Sequence, residues 1–311
     1  MLRNYYSQES AQSLLQRPET LAVLSYGSAC APSEQGVIAS GLTTLNSDRH
    51  EVWAAVDNAE VIRGTTGNCQ WSKTDEVLCA SIWITPQDCQ NLEVATQLAY
   101  VELLDLLQKS EYQHPFRFWN YLPDINDGNG DEEQYKRFCT GRLNAFQAKG
   151  IPAEEFPAAS ALGHRVKGAV VIVFASRIAG VHHKNNLQVN AYQYPREYGI
   201  SSPSFSRATT IELEGQSLFF VSGTASIIGH KTTSLGDLRG QLATTADNIQ
   251  HLLQHAHAVP LHSMKVYLRH AKDFEVAKQE LQTYFPEVPM IFTVADICRT
   301  NLLVEVECFC G

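Results

Sequence analysis

Two carboxylates, Glu305 and Glu307, stand two residues apart in the strand-like run Leu302-Leu303-Val304-Glu305-Val306-Glu307, which is entered through Asp296-Ile297-Cys298-Arg299. Side chains alternate across a strand, so both glutamates share one face with Leu303 and Phe309, while Leu302, Val304, Val306 and Cys308 take the other. On a buried face a bare carboxylate is costly and must be paired or kept protonated. A carboxylic acid protonated near neutral pH is what general-acid catalysis requires. On a solvated face the same pair is ordinary surface. The strand by itself leaves both open.

A second set of chemistry-bearing residues is cationic. Arg142 follows Phe138-Cys139-Thr140-Gly141, Arg196 and Arg207 lie in a Tyr-, Pro- and Ser-rich stretch, and Arg299 introduces the terminal strand. Guanidinium forks suit bidentate recognition of carboxylates, and tyrosine hydroxyls add uncharged donors. Ser222-Gly223-Thr224-Ala225-Ser226 supplies small residues and backbone amides for close approach to a ligand. Surface pairing with nearby acids is the competing explanation for any one of these arginines.

Other templates fail. There is no phosphate loop, no GxGxxG fingerprint and no GxSxG elbow. The acidic loop from Asp124 to Asp131 places Tyr135 or Phe138 where a calcium loop needs its bidentate carboxylate, so it reads as a turn before a helix. His251 and His255 are four apart on a helix without the glutamate of HExxH, and no metal site is expected. The eight cysteines show no paired CxxC spacing.

Composition narrows the class. The chain has 311 residues, 44% hydrophobic and 18% charged, the profile of a globular protein with a full core. A net charge of -9 argues against nucleic acid, and an anionic substrate would have to be held by local arginines against that field. The longest smooth apolar run, 168–176 (GAVVIVFAS), is far short of a bilayer span, and MLRNYYSQES lacks the apolar core of a signal peptide. With the cysteine pattern, this predicts a reduced cytoplasmic protein with no membrane partner.

These residues must be positioned by regular elements, and the periodicities supply them. In the second half, 211–226 reads as a hairpin, 238–255 as a helix, 264–268 as a strand, 274–284 as a helix, and 290–294 and 302–310 as strands. In the first half, 77–84 is a strand, 92–107 a helix, 116–121 a strand, 132–148 a helix and 169–175 a strand. The repeated order β-β-α-β-α-β predicts an α+β fold made of two fused units, mixed sheets packed against helices, with domains 1–179 and 180–311. The Tyr/Pro/Arg-rich stretch joins the second unit as an ordered loop.

A resemblance adds to this. Gln188-Val189-Asn190-Ala191-Tyr192 running into Tyr194-Pro195-Arg196-Glu197-Tyr198-Gly199, then Ser202-Pro203-Ser204-Phe205-Ser206-Arg207, resembles the central signature of the chorismatases. So do Tyr135-Lys136-Arg137-Phe138 with Gly141-Arg142, Ser222 to Ser226 with Gly229-His230, and Cys298-Arg299 followed by Leu303-Val304-Glu305-Val306-Glu307. The second half also resembles one Rid (YjgF-like) subunit. The resemblance implies pyruvate-releasing hydrolysis of chorismate without a cofactor. It points to the 3-hydroxybenzoate-forming type, which carries a cysteine at the position of Cys298.

Residue by residue, the resemblance makes Glu305 the general acid, protonating the enolpyruvyl methylene carbon, with Glu307 a supporting carboxylate. Cys298 steers the ring chemistry. Arg142 and Arg207 bind the two substrate carboxylates, with Tyr135 and Arg299 beside them; Tyr192 and the backbone of Gly223, Thr224, Ala225 and Ser226 orient the ring. The alternatives are a 4-hydroxybenzoate or dihydroxycyclohexadiene product, a dual activity, or a Rid-like binding protein without turnover. Monomer and homo-oligomer both remain open.

Overall fold

The computed structural model describes residues 2–311 apart from 28, 33, 57–59 and 258. Two units repeat one order of elements. In the first, the hairpin Cys69–Lys73 and Val77–Ile84 leads to helix Leu92–Gln108, strand His114–Pro123, helix Gln134–Ala148 and strands Ala158–His164 and Ala169–Ser176. In the second, the hairpin Ala208–Leu213 and Gln216–Ala225 leads to helix Leu238–Leu253, strand Leu261–Leu268, helix Phe274–Tyr284 and strands Met290–Val294 and Val304–Cys310.

Strand pairing repeats as well. Ala158–His164 runs parallel to His114–Pro123, as Met290–Val294 runs parallel to Leu261–Leu268. The last strand of each unit then inserts into the middle of its own sheet. Ala169–Ser176 lies between Val77–Ile84 and His114–Pro123, and Val304–Cys310 between Gln216–Ala225 and Leu261–Leu268. The chain is an α+β protein with two fused units of one topology, each a mixed sheet packed on helices.

Several elements were absent from the sequence expectation, the strands Ile62–Thr66 and Cys69–Lys73 among them. Strand Ala158–His164 (AASALGH) contains no β-branched or aromatic residue, so nothing local marks it; pairing with His114–Pro123 makes it a strand. The first 55 residues hold a further four-stranded sheet, in the order Leu2–Ser7, His50–Ala55, Thr20–Ser25, Val37–Ala39. Loops cross between parts and cover sheet edges. Asp296–Ile297 pairs with Ala158–His164, and Thr43–Thr44 with Met290–Val294. The expected division at 179/180 falls between the strands Ala169–Ser176 and Val181–His183.

Each unit buries one face of its sheet under its own two helices. Gly141 permits the close crossing in the first unit, because a Cβ there would run into the Glu93 carbonyl of the neighbouring helix. The opposite sheet faces meet the N-terminal sheet in a third apolar cluster. At its centre Trp53 packs on Trp119, Phe174, Phe220 and Phe309 with centroid separations of 4.9 to 5.9 Å. Among the described residues, no helix is long and apolar enough to cross a membrane.

Candidate active site

The terminal strand is central in its sheet, and both of its glutamates are buried, each only 5% exposed. The solvated-face alternative therefore falls. Alternation puts Val304, Val306 and Cys308 under the helices of the second unit, and Glu305 and Glu307 toward the first unit and the N-terminal sheet. Their partners then separate them. Glu307 accepts from Arg117 Nη2 at 2.6 Å, Trp119 Nε1 at 2.7 Å and Ser160 Oγ at 2.5 Å, and pairs with Lys265 Nζ at 2.8 Å. Burial alone would raise its pKa, but Lys265 and Arg117 overcome this and hold the carboxylate down at about 2.

The Glu305 carboxyl makes no hydrogen bond among the described residues and lines a cavity of about 650 Å³ between the two units. Burial, reinforced by the negative charge of Glu307, pushes its carboxyl up to about 8, against the opposing pull of Arg117 and Arg207. At neutral pH it is a buried carboxylic acid facing an open space. That is the condition for a proton donor.

The cavity wall is assembled from every part of the chain that flanks the terminal strand. Helix Gln134–Ala148 contributes Tyr135 and Arg142, strand Ala158–His164 contributes Ser160, and Gln216–Ala225 contributes Gly223 and Ala225. The linking stretch brings Tyr194, Tyr198, Phe205 and Arg207, and the approach to the terminal strand brings Cys298 and Arg299.

The arginines differ in what they leave free. Arg142 is 1% exposed, and its Nε and Nη2 have no hydrogen-bond partner. Arg207 uses Nη2 on the Val189 carbonyl (2.7 Å) and the Tyr194 hydroxyl (2.8 Å), while its Nε is unpartnered. Phe205 lies between them, its ring centroid 6.0 Å from the Arg142 guanidinium and 5.3 Å from that of Arg207. Arg299 donates to the His230 carbonyl at 2.9 Å and stacks on Tyr198, 4.0 Å from the ring centroid. Buried N–H groups without acceptors are costly, so an anionic ligand is their natural complement. Cys298 is a neutral thiol, because burial and the nearby Glu305 push its pKa up to about 12.

Known proteins give the arrangement a family. A 3-hydroxybenzoate synthase of Streptomyces hygroscopicus is 34% identical to this chain over 277 residues, covering 83% of this chain and 80% of the relative. The chain belongs to the chorismatase family. A chorismatase of Streptomyces rapamycinicus is 31% identical, covering 85% of this chain and 84% of that one. Residues 51–175 match the family described as "Chorismatase FkbO/Hyg5-like, N-terminal". A chorismatase crystal structure superimposes with a TM-score of 0.88 at 25% identity, covering 100% of this chain and 98% of the other.

Most of the residues that the chorismatase resemblance singled out meet at the cavity: Glu305, Cys298, Arg142, Arg207, Gly223, Ala225, Tyr135 and Arg299. Three do not line it. Thr224 and Ser226 alternate with Gly223 and Ala225 and turn away, bonding to the Ser222 and Thr233 carbonyls. Tyr192 packs edge-on against Phe156 and lines a neighbouring cavity with His182 and His183, on the other side of Phe205 and Arg207. Tyr194 and Tyr198 join Tyr135 on the main cavity, placed there by the short turns 191–193 and 196–198. Sequence reasoning also passed over Ser160, Phe205 as a wall between two arginines, and the cluster around Lys265. The Tyr-Pro-Arg-Glu-Tyr motif carried a signal for Tyr194 and Tyr198; Ser160 had none.

Gly223 shows how tightly the acid is held. A Cβ built there overlaps the Glu305 carboxyl oxygen and comes within 3.2 Å of Ser160 Oγ. Gly223→Ala should therefore displace the Glu305 carboxyl, because a side-chain end yields more readily than a strand backbone. We expect a loss of about 100-fold in turnover, the scale of a 1 Å misplacement. Thermal unfolding should change little. A kinetic assay beside a melting curve checks both.

Proposed function

We propose that this protein converts chorismate to pyruvate and 3-hydroxybenzoate, with Glu305 as the proton donor. The observation that carries this reading is one juxtaposition. A carboxylic acid with its pKa raised to about 8 faces a cavity whose buried Arg142 and Arg207 hold unpaired N–H groups. Chorismate is a dianion that needs two cationic forks and one acid. Family membership supports the assignment, through relatives described as chorismatases and as a 3-hydroxybenzoate synthase.

In this reading Arg142 and Arg207 hold the two carboxylates and Phe205 keeps them apart. Arg299 and Tyr198 form a flat cationic wall beside the ring, and Ala225 leaves space for it. Glu305 protonates the enolpyruvyl methylene carbon, generating an oxocarbenium ion and a carboxylate stabilised by Arg117 and Arg207. Water adds to the oxocarbenium carbon and gives its proton back to the Glu305 carboxylate. The hemiketal then breaks its bond to the C3 oxygen, releasing pyruvate and leaving a C3 hydroxyl. The C4 hydroxyl departs as water with the C3 proton as the ring becomes aromatic. Pyruvate and 3-hydroxybenzoate together contain the atoms of chorismate, so water taken up at one step is returned at another. Free and largely buried cysteines fit a reducing cytoplasm.

The test is to mix the protein with chorismate, measure pyruvate and separate the products by chromatography. Pyruvate with 3-hydroxybenzoate supports the proposal. Unconsumed chorismate sinks it, and 4-hydroxybenzoate or a diene overturns the product assignment. Cys298→Ala bears on the product alone. As a neutral thiol beside the ring, Cys298 is expected to bias ring chemistry, so the variant should still release pyruvate while its aromatic share falls.

A further inference from the structure

Behind Glu305 lies a buried ionic cluster that meets the cavity wall at Ser160. Lys265 stands opposite Glu307 in the ladder, as Tyr267 stands opposite Glu305. Its Nζ lies 2.8 Å from Glu307 and 2.6 Å from Glu51, a carboxylate of the N-terminal sheet. Glu51 accepts in turn from Asn4 Nδ2 at 3.0 Å and the Tyr26 hydroxyl at 2.9 Å. Arg117 binds Glu307 and Ser160, each at 2.6 Å, and Ser160 accepts from the Gly223 amide at 3.0 Å, beside the Glu305 carboxyl. All four charged side chains are at most 6% exposed.

Two carboxylates and two cations leave this cluster neutral. An ionised Glu305 would add a negative charge opposed by Glu307 and drawn only weakly by Arg117, which Glu307 already pairs, and by Arg207, a fork for the substrate. The groups that face it from the surrounding elements are Glu307 on its own strand, Tyr267, Arg117, Arg207, Tyr135 and Cys298, with Arg142 and Arg299 on the cavity wall. Arg142 and Arg207 are the forks that a dianionic substrate would neutralise. We infer that Glu51, Lys265, Glu307 and Arg117 form a charge-neutral positioning cluster that keeps Glu305 protonated, and that the N-terminal sheet takes part in the chemistry by supplying Glu51. This rests on Glu305 as the proton donor.

The cluster is tested by changing its net charge at a distance from the substrate. Glu51→Gln leaves it with one excess positive charge, which favours ionised Glu305. Glu51→Gln/Lys265→Met returns it to neutrality, and replacing a buried ion pair by neutral groups is a change that cores tolerate. In substrate-free protein carrying 13C-labelled glutamate, the Glu305 signal is identified by its loss in Glu305→Gln and titrated by NMR.

Glu51→Gln should lower the Glu305 midpoint by about one pH unit, the lower end of the effect of a nearby opposite charge. The double variant should bring it back. Where Glu51→Gln does not fold, Glu307→Gln against Glu307→Gln/Lys265→Met reads the same comparison. A midpoint that stays at the native value in the charged variant, or that is not restored on neutralisation, overturns the inference. The alkaline limb of kcat/KM for pyruvate release should move with the NMR midpoint. Turnover retained in Glu305→Gln would remove the donor assignment and leave the NMR comparison intact, so the two failures are distinguishable.

Discussion

Glu305→Gln should abolish pyruvate release while leaving the fold and substrate binding in place. Gln keeps the size of the side chain but has no acidic proton to deliver. A positioned general acid contributes about 10²- to 10⁴-fold, and protonation at carbon puts the expected loss toward the upper end. The native enzyme should show the matching pH profile. Its carboxyl is raised to about 8, so kcat/KM is retained below that value and falls as pH rises through it. In the variant this limb disappears together with the activity.

Stability should move in the opposite direction. An acid whose folded-state pKa is raised binds its proton more tightly in the folded protein than in the unfolded chain. The native protein therefore loses stability as pH rises from the ordinary glutamate range, near 4.5, to about 8. Glu305→Gln lacks this group, so its melting temperature should exceed that of the native protein by a margin that widens between those pH values. Melting curves at pH 5 and pH 8 check the sign. A variant with normal turnover would end the assignment of Glu305 as the donor.

Arg142→Met should likewise separate function from stability. In the free protein the Arg142 guanidinium is buried with Nε and Nη2 unpartnered, over the Phe138 ring at 4.8 Å. An unpaired buried donor is costly, and an unbranched apolar side chain of similar length fills the same space on the helix. The substrate-free variant should melt at or above the native temperature. Binding should move the other way, because one carboxylate of the dianion would lose its fork. Truncating one partner of a buried charge pair costs about 2–5 kcal/mol, or about 30- to 4000-fold in affinity. Calorimetric titration with a non-turnover dicarboxylate checks the binding; a variant less stable than native and unchanged in affinity would contradict the role.

Much of the framework was legible in local pattern. Helical spacing marked the long helices at 92–108 and 238–253, and apolar runs marked the strands at 77–84 and 169–176. Each of these has a periodicity or apolar content that survives without its neighbours. Strand Ala158–His164 did not, because its small residues have no strand signature and its conformation comes from pairing with His114–Pro123. The N-terminal sheet was illegible for a related reason, its strands being short and their partners far apart in sequence. Ser160 and Glu51 were lost with those two elements.

Alternation along the terminal strand placed Glu305 and Glu307 on one face, and the motifs around Arg142, Arg207 and Cys298 gathered most of the residues that meet at the cavity. The first of these is a local pattern and the second a family resemblance carried by motifs, and neither needs the fold. The sequence by itself did not determine why two glutamates two residues apart behave in opposite ways. Cross-strand register puts Lys265 opposite Glu307 and Tyr267 opposite Glu305, and the packing of the first unit adds Arg117, Trp119 and Ser160 to Glu307 alone. The cations come from residues 190 and 42 positions away along the chain. Tertiary structure therefore decided which carboxylate is ionised and which keeps its proton, because the charge state of a buried acid depends on what the fold brings against it.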